Sequence, residues 1–205
     1  MAGRPEQRSE LVLASASPRR RDILGQLGVA FRVIESGVDE GKAGLESPEA
    51  YARVTAERKA RAVAQQIAAA GDAAFVLGAD TIVVIDGGVL GKPEGDDDAA
   101  RMLRLLQGRE HQVITAVHLC GGPRAGFERT LAVRSRVLFR ALDARTVQRY
   151  VASGEGNDKA GSYAVQGLGA GLVRAIDGSY SNVVGLPACE TLELLIEAGA
   201  VGAWP

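Results

Sequence analysis

Twice within the first fifty residues a Ser-Pro pair opens what reads as a helix, and the first pair closely follows a short apolar run. Serine is a good N-cap, and proline suits the first helical position, where its missing N–H costs nothing. Leu11-Val12-Leu13-Ala14 followed by Ser17-Pro18 therefore reads as a buried strand feeding a helix. That helix runs to about Leu27, with Ile23, Leu24 and Leu27 on one face and Gly28 as its stop. Ser47-Pro48-Glu49-Ala50 starts a second, longer helix that reaches about Ala70. Strands alternating with helices in this way confine the chain to the α/β class.

The rest of the chain keeps that rhythm. Phe75 to Leu77 and Ile82 to Ile85 read as strands interrupted by Gly78-Ala79-Asp80-Thr81, and Val89-Leu90 returns after the turn Asp86-Gly87-Gly88. Asp96, Asp97 and Asp98 suit a helix N-terminus and are read as caps of a helix to about Gln107, not as metal ligands. Gln112 to Cys120 and Leu131 to Phe139 read as a long hairpin. Asp143 caps a helix to about Ala152, glycine-rich segments run from Gly154 to Gly185, and a last helix spans Cys189 to Glu197. No repeat or low-complexity linker interrupts the pattern. One domain over 11–205 is expected, after a polar leader over 1–10.

Composition removes several function classes. With 46% hydrophobic and 24% charged residues the chain is not intrinsically disordered. A net charge of -1 supplies no global field for DNA or a membrane, and 4% aromatics give no stacking platform for nucleic acid. No apolar run approaches the ~20 residues of a membrane span, so a cytoplasmic protein is expected. Cys120 and Cys189 lie far apart in apolar runs and read as small core residues. His111 and His118 have no neighbouring nucleophile pattern, which argues against a catalytic triad.

The basic residues are more informative. Only Lys42, Lys59, Lys92 and Lys159 are lysines; the other twenty cations are arginines. A lysine kept against that background suggests a need for a compact, mobile point charge. Lys59, Lys92 and Lys159 fall in segments notable on other grounds. Ala14-Ser15-Ala16-Ser17-Pro18-Arg19-Arg20-Arg21 joins small residues, hydroxyls and cations at a helix N-terminus, which is a phosphate cradle in the making. Asp80 sits between apolar runs, where a carboxylate is costly unless paired or metal-bound, so it is a candidate general base or metal ligand. Val38-Asp39-Glu40 offers a second acidic position, and Val165-Gln166-Gly167-Leu168-Gly169 a backbone able to approach a ligand closely. Many cations, a helix N-terminus, a few well-placed acids and no zinc ligand set suit a polyphosphate ester bound with Mg²⁺ or Mn²⁺; no P-loop is present.

These segments occur in a particular order. Leu13-Ala14-Ser15-Ala16-Ser17-Pro18-Arg19-Arg20, Glu57-Arg58-Lys59-Ala60, Gly78-Ala79-Asp80-Thr81-Ile82-Val83, Gly91-Lys92-Pro93, Asp158-Lys159-Ala160-Gly161 and Val184-Gly185-Leu186-Pro187 follow one another along the chain. Over about Leu11 to Leu195 the sequence resembles the Maf family of nucleoside triphosphate pyrophosphatases. The resemblance implies an α/β fold related to the inosine triphosphatases, with a long curved mixed sheet flanked by helices and two lobes around a central cleft. It implies hydrolysis of a nucleoside triphosphate to monophosphate and pyrophosphate, a divalent cation (Mg²⁺ or Mn²⁺) and a homodimer. Asp80 then matches the general base or metal ligand, and Glu40, Lys59 and Lys92 the other catalytic, metal or phosphate residues. Ser15, Arg19 and Arg20 match the phosphate-binding loop, and Lys159 joins the substrate-binding set. Arg19, Thr81 and Gln166 match the type acting on dTTP and UTP. The 7-methyl-GTP type carries other residues there. Gln166 and Thr81 are where base choice is expected, since a glutamine amide complements the O4 and N3–H edge of thymine or uracil. The alternative activities are a 7-methyl-GTP pyrophosphatase and a nucleotide-binding regulator of septum formation.

Overall fold

The computed structural model describes residues 10–38, 47–122, 126–202 and 204. Its frame is a mixed seven-stranded sheet. The strands are β1 (Leu11–Leu13), β2 (Phe31–Val33), β3 (Phe75–Ile85), β4 (Gly88–Leu90), β5 (Glu110–Gly121), β6 (Glu128–Phe139) and β7 (Val173–Asp177). Their order is β2-β1-β3-β5-β6-β7, with β4 paired to β3. β1 runs parallel to both β2 and β3, while β5, β6 and β7 add antiparallel neighbours. The α/β class and the mixed, helix-flanked sheet follow the expectation. β2 and β7 are additions, and neither carries a long apolar run: β2 is Phe-Arg-Val and β7 is Val-Arg-Ala-Ile-Asp.

Among the described residues six helices cover the sheet: α1 (Pro18–Gln26), α2 (Pro48–Ala69), α3 (Asp96–Leu106), α4 (Ala144–Ala152), α5 (Tyr180–Val184) and α6 (Ala188–Ala198). The Ser47 side chain caps α2 by accepting from Ala50 N at 3.2 Å, and Asp143 caps α4 by accepting from Thr146 N at 2.7 Å. Ser17 takes the N-cap position of α1 but makes no side-chain cap bond. The aspartates 96–98 form the first turn of α3 behind Gly95, so their charge faces the helix dipole but they are not the N-cap. Cys120 is buried as expected, whereas Cys189 lies on the exposed side of α6. Among the described residues no helix is long and apolar enough to cross a membrane.

The interruption expected in β3 does not exist. Phe75–Ile85 is one continuous strand of 11 residues, ten of them buried. Gly78 and Asp80 read as a break because neither favours a strand, but β5 pairs along the whole segment, from Phe75↔Gly121 to Val84↔Gln112. Strand alternation then sorts the side chains. Val76, Ile82 and Val84 pack toward α2, against Ala52, Ala56, Ala60 and Val63. Phe75, Leu77 and Ala79 meet α1 and α6 on the opposite face, and Val83 and Ile85 meet α3 and α4 there.

A second buried group sits on that opposite face. His111 on β5 is buried, with Nε2 2.7 Å from the Tyr163 hydroxyl and its ring edge-on to Phe139. Burial lowers its pKa to about 4. The folded state thus favours the neutral ring. The associated stability is complete above the unfolded value of about 6.5 and is lost as pH falls toward about 4. We expect the wild type to lose about 2 kcal/mol more than His111→Phe between pH 7 and pH 4.5, measured by urea denaturation. Equal losses would remove His111 as the cause.

Candidate active site

The site forms where one edge of β3 is bare. On that edge β1 pairs only as far as Leu13↔Leu77, and β4 pairs only with Val83 to Ile85. The last rung is Ala14 N to Leu77 O at 2.8 Å, after which the chain turns away into α1. Among the described residues no strand covers β3 between those two partners. The gap opens onto a cleft of about 510 Å³.

Asp80 projects from this stretch and is 5% exposed. Lys59 on α2, 6% exposed, places Nζ 2.7 Å from Asp80 Oδ1. The pair exists because α2 lies very close to β3. A Cβ on Gly78, two residues before Asp80 on the same face, would stand 2.5 Å from Ala56 O and 2.8 Å from Ala60 N. Glycine on the strand and alanines at four-residue spacing on the helix thus allow the approach that puts Lys59 over Asp80.

The loop after β1 supplies the opposite wall. Arg20 is buried and its guanidinium is a brace: Nε donates to Gly185 O at 2.8 Å, one terminal nitrogen to Ser15 Oγ at 3.0 Å, and the other to Thr81 Oγ1 at 3.0 Å. Thr81 Oγ1 also lies 3.0 Å from Thr115 Oγ1, which donates to Asn182 O at 2.9 Å. Arg20, Ser15 and Thr81, expected to meet phosphate or base, thus lock the β1 loop, β3 and the turn after α5 together. Arg19 is more open and pairs with Asp158 at 3.5 Å. Ser17 makes no side-chain cap bond, and Ser17, Pro18, Arg19 and Arg20 at the start of α1 line the cleft, at the end of the helix that favours an anion.

The far wall is built from two loops joined by Gly161 N to Gly91 O at 3.0 Å. This bond sets Lys92 and Lys159 on the same cleft. Gly161 has φ +70°, and a Cβ there would press on Val83 at 3.0–3.2 Å, so both conformation and space call for glycine. Lys159 Nζ donates to Glu155 O at 2.6 Å and pairs with Asp158. Burial pushes the Asp158 carboxyl up, but Lys159 and Arg19 outweigh it and hold it below the ordinary range. Gln166 lines the cleft with an exposed side chain that makes no hydrogen bond to the described residues.

The described residues therefore bring Ser15, Arg19, Arg20, Lys59, Asp80, Thr81, Lys92, Lys159 and Gln166 to one cleft. Glu40 lies outside the described residues, as does Lys42. Thr115 and Asn182 stand in no motif, and Asp158, which stands in the motif of Lys159, enters the site through its pairs with Arg19 and Lys159. Asn182 is fully buried, and its amide reaches Val113 O, Ser135 Oγ and Thr115 N, contacts that no sequence spacing signals.

A family profile described as Maf-like protein matches residues 10–198. The chain belongs to the Maf family. Among relatives, the dTTP/UTP pyrophosphatase of Moorella thermoacetica is 48% identical over 196 residues, covering 96% of this chain and 98% of that one. Those of Myxococcus xanthus and Pelotomaculum thermopropionicum are 47% and 46% identical over 194 and 190 residues, covering 95% and 93% of this chain and 95% and 97% of theirs. Among solved structures, a HAM1 protein from Coxiella burnetii is 15% identical with a TM-score of 0.49, covering 93% of this chain and 99% of that chain. The Maf profile spans every segment that builds the cleft, from Ser15 to Gly185.

The buried pair makes a clear prediction. Lys59→Met leaves the Asp80 carboxylate without its partner and should cost about 3–5 kcal/mol of stability. The double variant Lys59→Met/Asp80→Asn should recover much of that loss. Chemical denaturation of both variants checks it, and a double variant no more stable than Lys59→Met would refute it.

Proposed function

We propose that this Maf protein hydrolyses dTTP and UTP to the monophosphate and pyrophosphate. The observation that carries the reading is the gathering of Arg19, Arg20, Lys59, Lys92 and Lys159 around a cleft whose buried carboxylate is Asp80. Three of the four lysines of an arginine-rich chain line this cleft. Such a charge balance suits a triphosphate. The names of the relatives supply the pyrimidine preference, together with the exposed Gln166 amide at the cleft.

The chemistry follows from the arrangement. Lys92, Arg19 and the first turn of α1 neutralise phosphate oxygens and hold the chain of phosphates in one orientation. Water attacks the α-phosphorus as the bond to the bridging oxygen of the β-phosphate breaks, and pyrophosphate departs. Asp80 stands as base with the oxygen opposite the Lys59 contact, taking the proton of the attacking water. Lys59 fixes the carboxylate and compensates its charge through the step. Lys159 and Lys92 face the leaving-group side, where charge builds up.

The donor set also fits a magnesium or manganese ion. Among the described residues there is no group of three or more His, Cys, Asp or Glu side chains placed to hold a metal ion. Mg²⁺ commonly takes one or two carboxylates and completes its shell with water and substrate phosphates. Asp80 provides one carboxylate, and Glu40 is the second expected from the family resemblance. Such an ion, when bound, lowers the charge on the phosphates and polarises the attacked phosphorus.

Two measurements test the reading. Pyrophosphate release from dTTP, UTP, CTP, 7-methyl-GTP and ATP with Mg²⁺ or Mn²⁺ should favour dTTP and UTP. Turnover of 7-methyl-GTP alone would keep the reaction and reject the base assignment, while no turnover at all would favour a binding regulator. Asp80→Asn should lower kcat by about 10²–10⁴-fold. Circular dichroism would confirm the folded fraction, and a folded variant retaining over about a tenth of wild-type activity would remove Asp80 as the base.

A further inference from the structure

Gln166 is exposed and makes no hydrogen bond to the described residues, yet a specificity group must be held in place to discriminate. The short 3-10 turn that begins directly after it, Gly167–Gly171, carries its own anchor. Glu155, outside every motif that the sequence brought forward, aims its carboxylate into the start of that turn. Oε1 accepts from Leu168 N at 2.8 Å and Oε2 from Gly169 N at 2.8 Å. Tyr150 on α4 donates its hydroxyl to Oε2 at 2.8 Å and accepts from Ala164 N at 3.0 Å. Glu155 and Tyr150 thus fasten the chain on both sides of Gln166.

The glycines follow from this anchor. Gly167 has φ +62°, and a Cβ on it would lie 2.2 Å from Glu155 Oε1. A Cβ on Gly169 would lie 2.0 Å from Ala164 O and 2.8 Å from the Tyr150 hydroxyl. The space beside the first two glycines of a pattern that suggests close approach to a ligand is taken up by the protein's own anchor. Burial pushes the Glu155 carboxyl up, but the Tyr150 hydroxyl, the two amides and the charge of Lys159 outweigh it, so it is held below the usual carboxylate range. An anion is what two converging N–H donors require. The same residue's backbone carbonyl receives Lys159 Nζ at 2.6 Å, so the loop that carries Lys159 and the loop that carries Gln166 meet at one residue.

We propose that Glu155 is a positioning residue for base selection, holding the Gln166 segment in the geometry that recognises a pyrimidine base. The inference rests on the dTTP/UTP reading of the cleft. Glu155→Gln keeps the size of the side chain but replaces one acceptor with a donor that faces a backbone N–H. KM for dTTP and UTP should rise roughly tenfold, with kcat within about threefold, since the segment binds the base and not the reacting phosphorus. Tyr150→Phe should move KM the same way by less.

Loss of folded protein alone would lower apparent kcat and leave KM unchanged. The decisive comparison is on a Gln166→Ala background, where Glu155→Gln should raise KM by less than about twofold, because a residue acting through Gln166 has nothing left to position. An unchanged KM in the single variant would overturn the proposal, as would the same tenfold rise on both backgrounds. Failure of the wild type to turn over dTTP and UTP would instead overturn the substrate reading, so the two failures are distinguishable.

Discussion

A carboxylate in the middle of a central strand must be compensated, and in this protein everything around it is arranged by that need. Asp80 and Lys59 are both almost fully buried, at 5% and 6% exposure, and 2.7 Å separates their charged atoms. Neither charge is tolerable alone in that setting. Their meeting depends on how closely α2 approaches β3, and that approach depends on Gly78 beneath Ala56 and Ala60. A helix held off by one methyl group would carry Lys59 away from Asp80. The small residues at this crossing are therefore as much part of the site as the charges.

The cleft itself is a product of unequal strand lengths. β3 spans 11 residues, whereas β1 and β4 span three each and pair with its two ends. The uncovered stretch between them holds Asp80 and Thr81. Loops from both directions close on it, each braced by its own polar hub. Arg20 ties the β1 loop to Thr81 and Gly185, and Glu155 ties the segment after Gln166 to α4 through Tyr150. The cations left at the cleft then sit on a rigid frame, which is what electrostatic stabilisation without reorganisation demands.

The two hubs differ in how they show in the sequence. Arg20 stands in the segment that draws attention as a phosphate loop, and its side chain also braces the protein by donating to Ser15, Thr81 and Gly185. Glu155 stands in no motif and binds amides 13 and 14 residues ahead of it. Local reading notices an arginine near a helix N-terminus and passes over a lone glutamate, whereas Thr81 and Gly185, which hold Arg20, and the amides that Glu155 holds lie far from them along the chain.

The sequence by itself determined the α/β class, five of the six helices among the described residues, the long hairpin and nine of the residues that line the cleft. It could do so because helix caps, apolar runs and buried charges are local patterns with local physical causes. The tertiary structure decided that β3 runs unbroken through Gly78 and Asp80, because β5 supplies backbone partners that outweigh weak strand preference. It decided that Cys189 faces solvent, that β2 and β7 extend the sheet at its edges, and that Lys59 neutralises Asp80. Those outcomes depend on which distant segments lie side by side, and a pairing between residues 21 positions apart leaves no trace in the pattern around either one.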